Sequence, residues 1–126
     1  MKVRKLAFVG IPVTDVKRAR AFYEGVLSLQ VSDEMMDGNW IEYELGGSTL
    51  AIASVGESWT PSDQGAAAAL EVENLDESIE KLEVAGIRFA AEPFETPCCR
   101  MAVVQDPDGN KIIIHKLKPE DEKGPC

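Results

Sequence analysis

The sequence has few of the side chains that most reactive or metal-binding sites use. It contains one histidine and three cysteines, and aromatic residues make up only 6% of its 126 residues. The cysteines are Cys98, Cys99 and Cys126, and no two of them have the CxxC spacing of zinc sites. With no signal peptide ahead of it, an odd number of cysteines favours reduced thiols. A catalytic pair of cysteine and His115 would need distant residues to meet, and we favour ordinary thiols.

Basic residues and long apolar runs are also scarce. Thirteen Lys and Arg stand against 22 Asp and Glu, for a net charge of −9, which argues against nucleic-acid binding. Such an acidic surface can attract a cationic ligand, or it can serve solubility alone. No apolar run approaches the roughly 20 residues of a membrane span. No apolar signal segment follows the basic residues 1–5, so we expect a cytoplasmic protein without a membrane partner.

The chain contains an internal repeat. Residues 13–29 read VTDVKRARAFYEGVLSL and residues 72–88 read VENLDESIEKLEVAGIR. Each segment follows a short apolar strand, has helical periodicity and precedes further strands. We therefore predict one domain over 1–126, with module one at about 4–54, a linker at about 55–65, module two at about 66–117 and a flexible tail at 119–126.

The helix boundaries are marked by capping residues. Thr14 or Asp15 can begin the first helix. Asn74 can begin the second, with Glu77 three residues later as in a capping box, and Gly86 is suited to end it. Alternation and turn residues predict strands at 5–13, 40–45, 48–54, 66–72, 87–93, 100–105 and 111–117. The strand pairs are joined by tight turns at Gly46-Gly47 and at residues 106–109.

Two stretches, FVGIPVTDVKRARAFYEGVLSL near the start and DPDGNKIII near the end, carry a family resemblance. In this order and separation they resemble the vicinal oxygen chelate superfamily, which includes glyoxalase I, extradiol dioxygenases, and fosfomycin- and bleomycin-resistance proteins. The likeness covers roughly residues 5–117. It implies an α+β fold in which two βαβββ modules form U-shaped sheets around a cavity. It also implies a homodimer, with the question left open whether modules are exchanged between chains.

The resemblance also locates the positions where enzymes of this superfamily usually bind a divalent metal. They fall at Phe8, Ala51, Ala67 and Ile113, and none of these side chains has a lone pair to offer. An alignment shift of one residue would turn the strand over and bring only other apolar residues into place. We therefore predict that the protein has no metal site and no cofactor.

The same alignment identifies the strand face that would line the cavity. Small residues dominate it, which suggests room for a ligand or, alternatively, close packing of a partner module. The candidate ligand-binding residues are Phe8, Trp40, Glu42, Ala51, Trp59, Ala67, Arg100, Ile113 and His115. The aromatic rings could stack on a flat molecule. Arg100 could hold an anionic group or pair with surface acids, and Glu42 and His115 could contact ligand or solvent.

Two functions from different classes fit these residues. The first is a metal-independent protein that sequesters an amphipathic aromatic small molecule, with antibiotics among the candidates, like the bleomycin-binding branch of the superfamily. The alternative is a metal-free lyase or isomerase that uses Glu42, His115 or Cys98 for proton transfer. We favour binding over catalysis, and the sequence does not identify the ligand.

Overall fold

A computed structural model describes all 126 residues and divides the chain into two compact units, Met1–Pro61 and Ser62–Cys126. Each unit consists of one helical segment and a four-stranded mixed sheet. No helix has the length and apolar character that crossing a membrane requires.

The first unit begins with a strand and ends in a hairpin. Its elements are β1 (Val9–Pro12), α1 (Val16–Arg20) with a π-helical continuation (Ala21–Val26), β2 (Val31–Met35), β3 (Trp40–Glu44) and β4 (Thr49–Ala53). The strand order is β1-β4-β3-β2. β1 runs parallel to β4, and the other pairs are antiparallel.

The second unit repeats this arrangement. Its elements are β5 (Ala68–Glu71), α2 (Leu75–Val84), β6 (Phe89–Glu95), β7 (Cys99–Gln105), β8 (Lys111–Leu117) and a 3₁₀ turn (Glu120–Glu122). The order β5-β8-β7-β6 matches the first sheet strand for strand, and β5 is again parallel to β8. The predicted internal repeat and α+β class are therefore confirmed.

Both helices begin directly after the predicted capping residues Asp15 and Asn74. Asp15 accepts a hydrogen bond from the backbone N–H of Arg18 at 3.1 Å, and Asn74 accepts one from Glu77 at 3.0 Å. After α2 the backbone of Gly86 adopts φ 72°, a left-handed conformation that is easiest for glycine.

The first helix does not stay α-helical to its end. Its last turns are π-helical, and the N–H of Leu27 reaches the carbonyl of Phe22, five residues back, at 2.9 Å. Glu24 in this segment accepts hydrogen bonds from Nε of Arg20 at 2.7 Å and from the hydroxyl of buried Tyr43 at 2.8 Å. Burial, aided by the Glu24 hydrogen bond, raises the pKa of Tyr43, so its phenol stays neutral.

One strand was not predicted. β2 has the sequence VSDEM, and only Val31 is even half-buried. It lies at the edge of its sheet, where both faces can meet water and charged residues discourage pairing with other chains. The alternation of apolar and polar residues that identifies half-buried strands is therefore missing.

Each sheet buries one face against its helix. In the first unit Ile11, Ile41 and Ile52 are neighbours across the strands and are all buried. In the second unit the buried face includes Ala102 and Ile114, neighbours on β7 and β8. Contacts between α1 and β4, and between α2 and β8, identify this as the helix side. We call the other side of each sheet its open face; the predicted alternation of strand faces is confirmed.

The turn before β8 is held by its own side chains. One carboxylate oxygen of Asp106 accepts from the backbone N–H groups of Asp108 and Asn110, both at 2.9 Å. The Asn110 side chain donates to Asp106 and accepts from the backbone N–H of Ser62 at 3.1 Å. Asp106 and Asn110 are buried. This turn therefore has a structural role.

The expectation of three reduced thiols was wrong for two of them. Cys98 and Cys126 form a disulfide, with Cα atoms 6.0 Å apart, and only Cys99 is free and buried. The backbone N–H of Gly124 donates to the carbonyl of Pro97 at 2.9 Å, which brings the tail to the turn before β7. Sequence spacing does not reveal this return of the tail, because it depends on tertiary contacts.

Candidate functional site

Three aromatic side chains gather on the open face of the first unit. The rings of Phe8 and Trp40 meet edge to face, with centroids 5.3 Å apart. Trp59, from the segment after β4, lies against Trp40 with a centroid distance of 6.4 Å and an angle of 32° between the rings. We call these residues the aromatic cluster. Phe8 is 44% exposed, so one end of the cluster is open to solvent.

The aromatic cluster lies over a floor of small residues. Gly10 pairs with Ala51, which in turn pairs with Glu42 on β3. A Cβ atom at Gly10 would come within 2.9 Å of Cη2 of Trp59. The indole of Trp59 therefore rests on the backbone of β1, and this approach requires a residue without a side chain.

A carboxylate is fixed beside the rings. Oε2 of Glu42 accepts a hydrogen bond from Nε1 of Trp40 at 2.9 Å, and the residue is half-buried. Asp33 on β2 is the neighbour of Glu42 across the strands, so negative charge accumulates at this edge of the floor. A carboxylate next to aromatic faces is suited to a cationic group or to an N–H or O–H donor.

The open face of the second unit carries a different polar group. His115 on β8 and Glu71 on β5 are direct neighbours, and Nδ1 of His115 lies 2.5 Å from Oε1 of Glu71. The other carboxylate oxygen accepts from the backbone N–H of Leu117 at 2.8 Å. Burial acts to raise the pKa of Glu71, but the hydrogen bonds from Leu117 and His115 outweigh it and hold this pKa below its ordinary value.

Glu71 was not among the predicted residues, although a signal for it existed. It follows Ala67 and Ala69 at the same two-residue period, so it had to share their face. The predicted residue Ile113 is half-buried beside Ala69, whereas Ala67 lies just before β5 and is exposed.

The structure places Arg100 on the helix side of its sheet. Its guanidinium pairs with Asp76 of α2 at 2.9 Å, and this ion pair raises the pKa of Arg100. Of the two roles considered for Arg100, the structure thus shows a pairing with a surface acid. The two other predicted polar residues each have a partner within their own unit: Trp40 for Glu42, and Glu71 for His115.

The side chains present do not fit a metal centre of the kind the fold family implies. The corresponding positions hold Phe8, Ala51, Ala67 and Ile113, none of which offers a donor atom. Nowhere in the structure do three or more His, Cys, Asp or Glu side chains form a group that could hold an ion. These positions therefore supply none of the ligands that a divalent ion needs.

Comparison with known proteins identifies the family. The model of the glyoxalase/bleomycin resistance protein/dioxygenase superfamily matches residues 5–114, and the chain belongs to this superfamily. No curated protein matches the sequence.

Solved structures share the fold at low sequence identity. TnmS3, an antibiotic-binding protein from Streptomyces sp. CB03234, is 22% identical with a TM-score of 0.76, over 94% of this chain and 99% of its own. A glyoxalase/bleomycin resistance protein from the same organism is 24% identical (TM-score 0.71; 87% and 98% covered). Lactoylglutathione lyase from Agrobacterium tumefaciens is 16% identical (TM-score 0.71; 91% and 95%). The neighbours thus include one protein named for antibiotic binding and one named as a lyase.

Proposed function

We propose that this protein binds an amphipathic aromatic small molecule without a metal and sequesters it unchanged, with antibiotics as the first class to test. The observation that carries the proposal is the aromatic cluster over the small-residue floor, with Glu42 fixed beside it. A flat ligand could stack against these rings and place a cationic or hydrogen-bond-donating group at Glu42. The antibiotic-binding neighbour TnmS3 supports this class of ligand.

The position of Trp59 bears on how a ligand would enter. Its ring occupies the space above Gly10, and its segment between β4 and β5 has no regular secondary structure. Loop residues move at lower cost than residues within a sheet. A ligand that stacks on Trp40 would therefore either displace Trp59 or be covered by it.

Tryptophan fluorescence offers a direct test, because Trp40 and Trp59 are the only two tryptophans in the chain. We would titrate the purified protein with a panel of aromatic antibiotics, including cationic members, and analyse its metal content in parallel. Saturable quenching with the ligand recovered unchanged is the expected result. Trp40→Phe and Trp59→Phe then show which indole reports the binding.

Charge variants sharpen this experiment. Glu42→Gln should weaken binding of cationic members by about tenfold, as expected for loss of one charge-assisted contact. Glu57→Gln removes an exposed carboxylate two residues from Trp59 and serves as the matched control. If both variants weaken binding equally, Glu42 acts only through the net charge of the protein and not through a direct contact with the ligand. Absence of binding across the whole panel would count against the proposed function.

A metal-free lyase or isomerase is the second candidate. The observation in its favour is the hydrogen bond between His115 and Glu71, because a histidine oriented by a carboxylate is a common general base. Recovery of a chemically changed ligand, with loss of turnover but not of binding in Glu42→Gln or His115→Gln, would favour the enzyme. We also propose a homodimer, as the family resemblance implies, which light scattering during size-exclusion chromatography would test.

A further inference from the structure

The imidazole of His115 has one nitrogen engaged and one free. Nδ1 is hydrogen-bonded to Glu71, whereas Nε2 has no partner within the chain. No buried side-chain nitrogen or oxygen lacks a hydrogen bond, so the unpaired Nε2 must be accessible from outside. The His115 side chain is 24% exposed, in agreement with this conclusion.

Glu71 determines which nitrogen carries the proton. A carboxylate can only accept, so in the neutral imidazole the proton belongs on Nδ1 and the lone pair on Nε2. The hydrogen bond from Leu117 to the second carboxylate oxygen holds Glu71 in this orientation. The lowered pKa of Glu71 keeps the carboxylate ionised at neutral pH. In this tautomer His115 thus presents an outward-facing acceptor, and the carboxylate behind it fixes the orientation of the ring.

The surface around this acceptor is apolar. Ala69, Ile113 and Val103 form one row of the open face, and Met101 is the neighbour of His115 on β7. On the open face the charged groups of these strands are Glu71 on β5 and Lys111 on β8, whereas Met101 and Val103 on β7 carry no charge. Arg100 on β7 and Lys116 on β8 are neighbours on the helix side. One acceptor on an apolar floor suits an apolar ligand with a single acidic hydrogen better than a polyhydroxylated one.

The geometry points to a subsite that takes the acidic hydroxyl of a phenol or enol, held on a flat apolar ring system. This inference rests on the proposed binding function and specifies its ligand class. The hydroxyl donates to Nε2. When the proton transfers fully, the O–H bond breaks and the Nε2–H bond forms. The resulting imidazolium lies between the ligand oxyanion and Glu71, and the net charge is unchanged. A ligand already anionic brings no proton and adds a second negative charge near Glu71.

4-Nitrophenol is a suitable probe, because its phenolate absorbs in the visible and it titrates near neutral pH. Binding would be measured by calorimetry, and ionisation by absorbance on the same sample held slightly below the pKa of the free probe. We expect the bound probe to show more phenolate than the free probe. His115→Gln and Glu71→Gln should abolish this gain and weaken binding roughly two- to tenfold. Glu73→Gln, which removes an exposed carboxylate two residues from Glu71, is the matched control.

The single histidine provides a readout that does not depend on the variants folding. In ¹⁵N NMR of the wild-type protein, the neutral imidazole should carry its proton on Nδ1 and not on Nε2, and only Nε2 should shift strongly when the probe is added. A protonated Nε2 in the free neutral imidazole would overturn the inference.

The outcomes separate this inference from the proposed function. Bound probe with no gain in phenolate and an unmoved Nε2 resonance overturns the inference and leaves the binding function standing. Failure of the probe to bind also overturns the inference, and the antibiotic panel then decides the binding function alone.

Discussion

The two units have the same backbone plan and helix-side core but different chemistry on their open faces. The last residue pair of the parallel ladder is Pro12 with Ala53 in the first unit and Glu71 with His115 in the second. The β3 residue beside Ala53 is Trp40, whereas Met101 occupies the corresponding place in β7. One unit thus offers stacking surfaces, and the other offers a hydrogen-bonding pair.

This difference shows which face of a repeated sheet can change. The helix side must exclude water and pack closely, so it keeps large aliphatic residues such as Ile52 and Ile114 at matching places. The open face is not constrained by that helix. Residues of opposite character can therefore occupy equivalent positions there without altering the fold.

The helices differ for a related reason. In the first unit the π-helical turns place Glu24 within reach of Tyr43, which ties the helix to β3. In the second unit α2 is regular, and the exposed ion pair of Asp76 with Arg100 joins it to the sheet in addition to its buried leucines. A partly buried charged network contributes more than an exposed pair of this kind, so the polar contacts hold the two helices unequally.

The largest expected effect tests whether the helix-side cores are equivalent. Ile52→Ala and Ile114→Ala each remove a buried side chain at matching positions. Each should lower the free energy of unfolding by about 2–5 kcal/mol in urea titrations, because a cavity remains. The Val variants should cost only about 0.5–1.5 kcal/mol. A cost below about 1 kcal/mol for either Ala variant would show that its unit does not depend on this core.

The disulfide gives the second unit a cross-link that the first unit lacks. Cys126→Ser removes the disulfide between two residues that are 28 positions apart in the chain. It should lower the free energy of unfolding by about 2–4 kcal/mol, because the unfolded chain gains conformational entropy. Alkylation of the denatured protein, followed by mass spectrometry, should count one free thiol before reduction and three afterwards. Three labelled thiols without reduction would contradict the cross-link.

Gly10→Ala tests whether the aromatic cluster needs a residue without a side chain beneath it. The matching residue of the second unit, Ala69, already has a methyl group. The new Cβ would collide with the outer edge of the Trp59 indole. Because a side chain can shift aside more easily than backbone, the free energy of unfolding should fall by only about 1 kcal/mol. In a Trp40→Phe background the emission of Trp59 should shift to the red as the ring moves into water. Gly25→Ala, with no atom within 4 Å of its Cβ, should leave the emission unchanged.

The smallest effect concerns the pH dependence of the Glu71–His115 pair, which has no equivalent in the first unit. The pKa of Glu71 is lowered from its ordinary value of 4.5 in the folded protein. Its stabilisation is therefore present above pH 4.5 and is lost as pH falls through the lower folded pKa. The side chain is 52% exposed, so Glu71→Gln should cost under about 1 kcal/mol at neutral pH. A difference between wild type and variant that grows as the pH falls below 4.5 would contradict the assignment; Glu73→Gln is the control.

Several elements could be predicted from sequence because their determinants are local. Helix caps at Asp15 and Asn74, and the glycine turn at residues 46–47, depend on side chains within a few positions. Strand faces followed from the two-residue period. The edge strand β2 escaped prediction because exposure on both faces removes that period.

The candidate site was only partly predictable. Sequence alone was enough to predict the repeat and the faces on which Trp40, Glu42 and His115 lie. It also showed the lack of donor atoms at the family's metal positions, because these features follow from local order and side-chain chemistry. Three contacts became visible only in three dimensions: Trp59 rests on Gly10, Glu71 is the partner of His115, and Cys98 pairs with Cys126. Each of these contacts joins residues far apart in the chain, and their approach depends on how strands and loops pack, which local sequence does not encode.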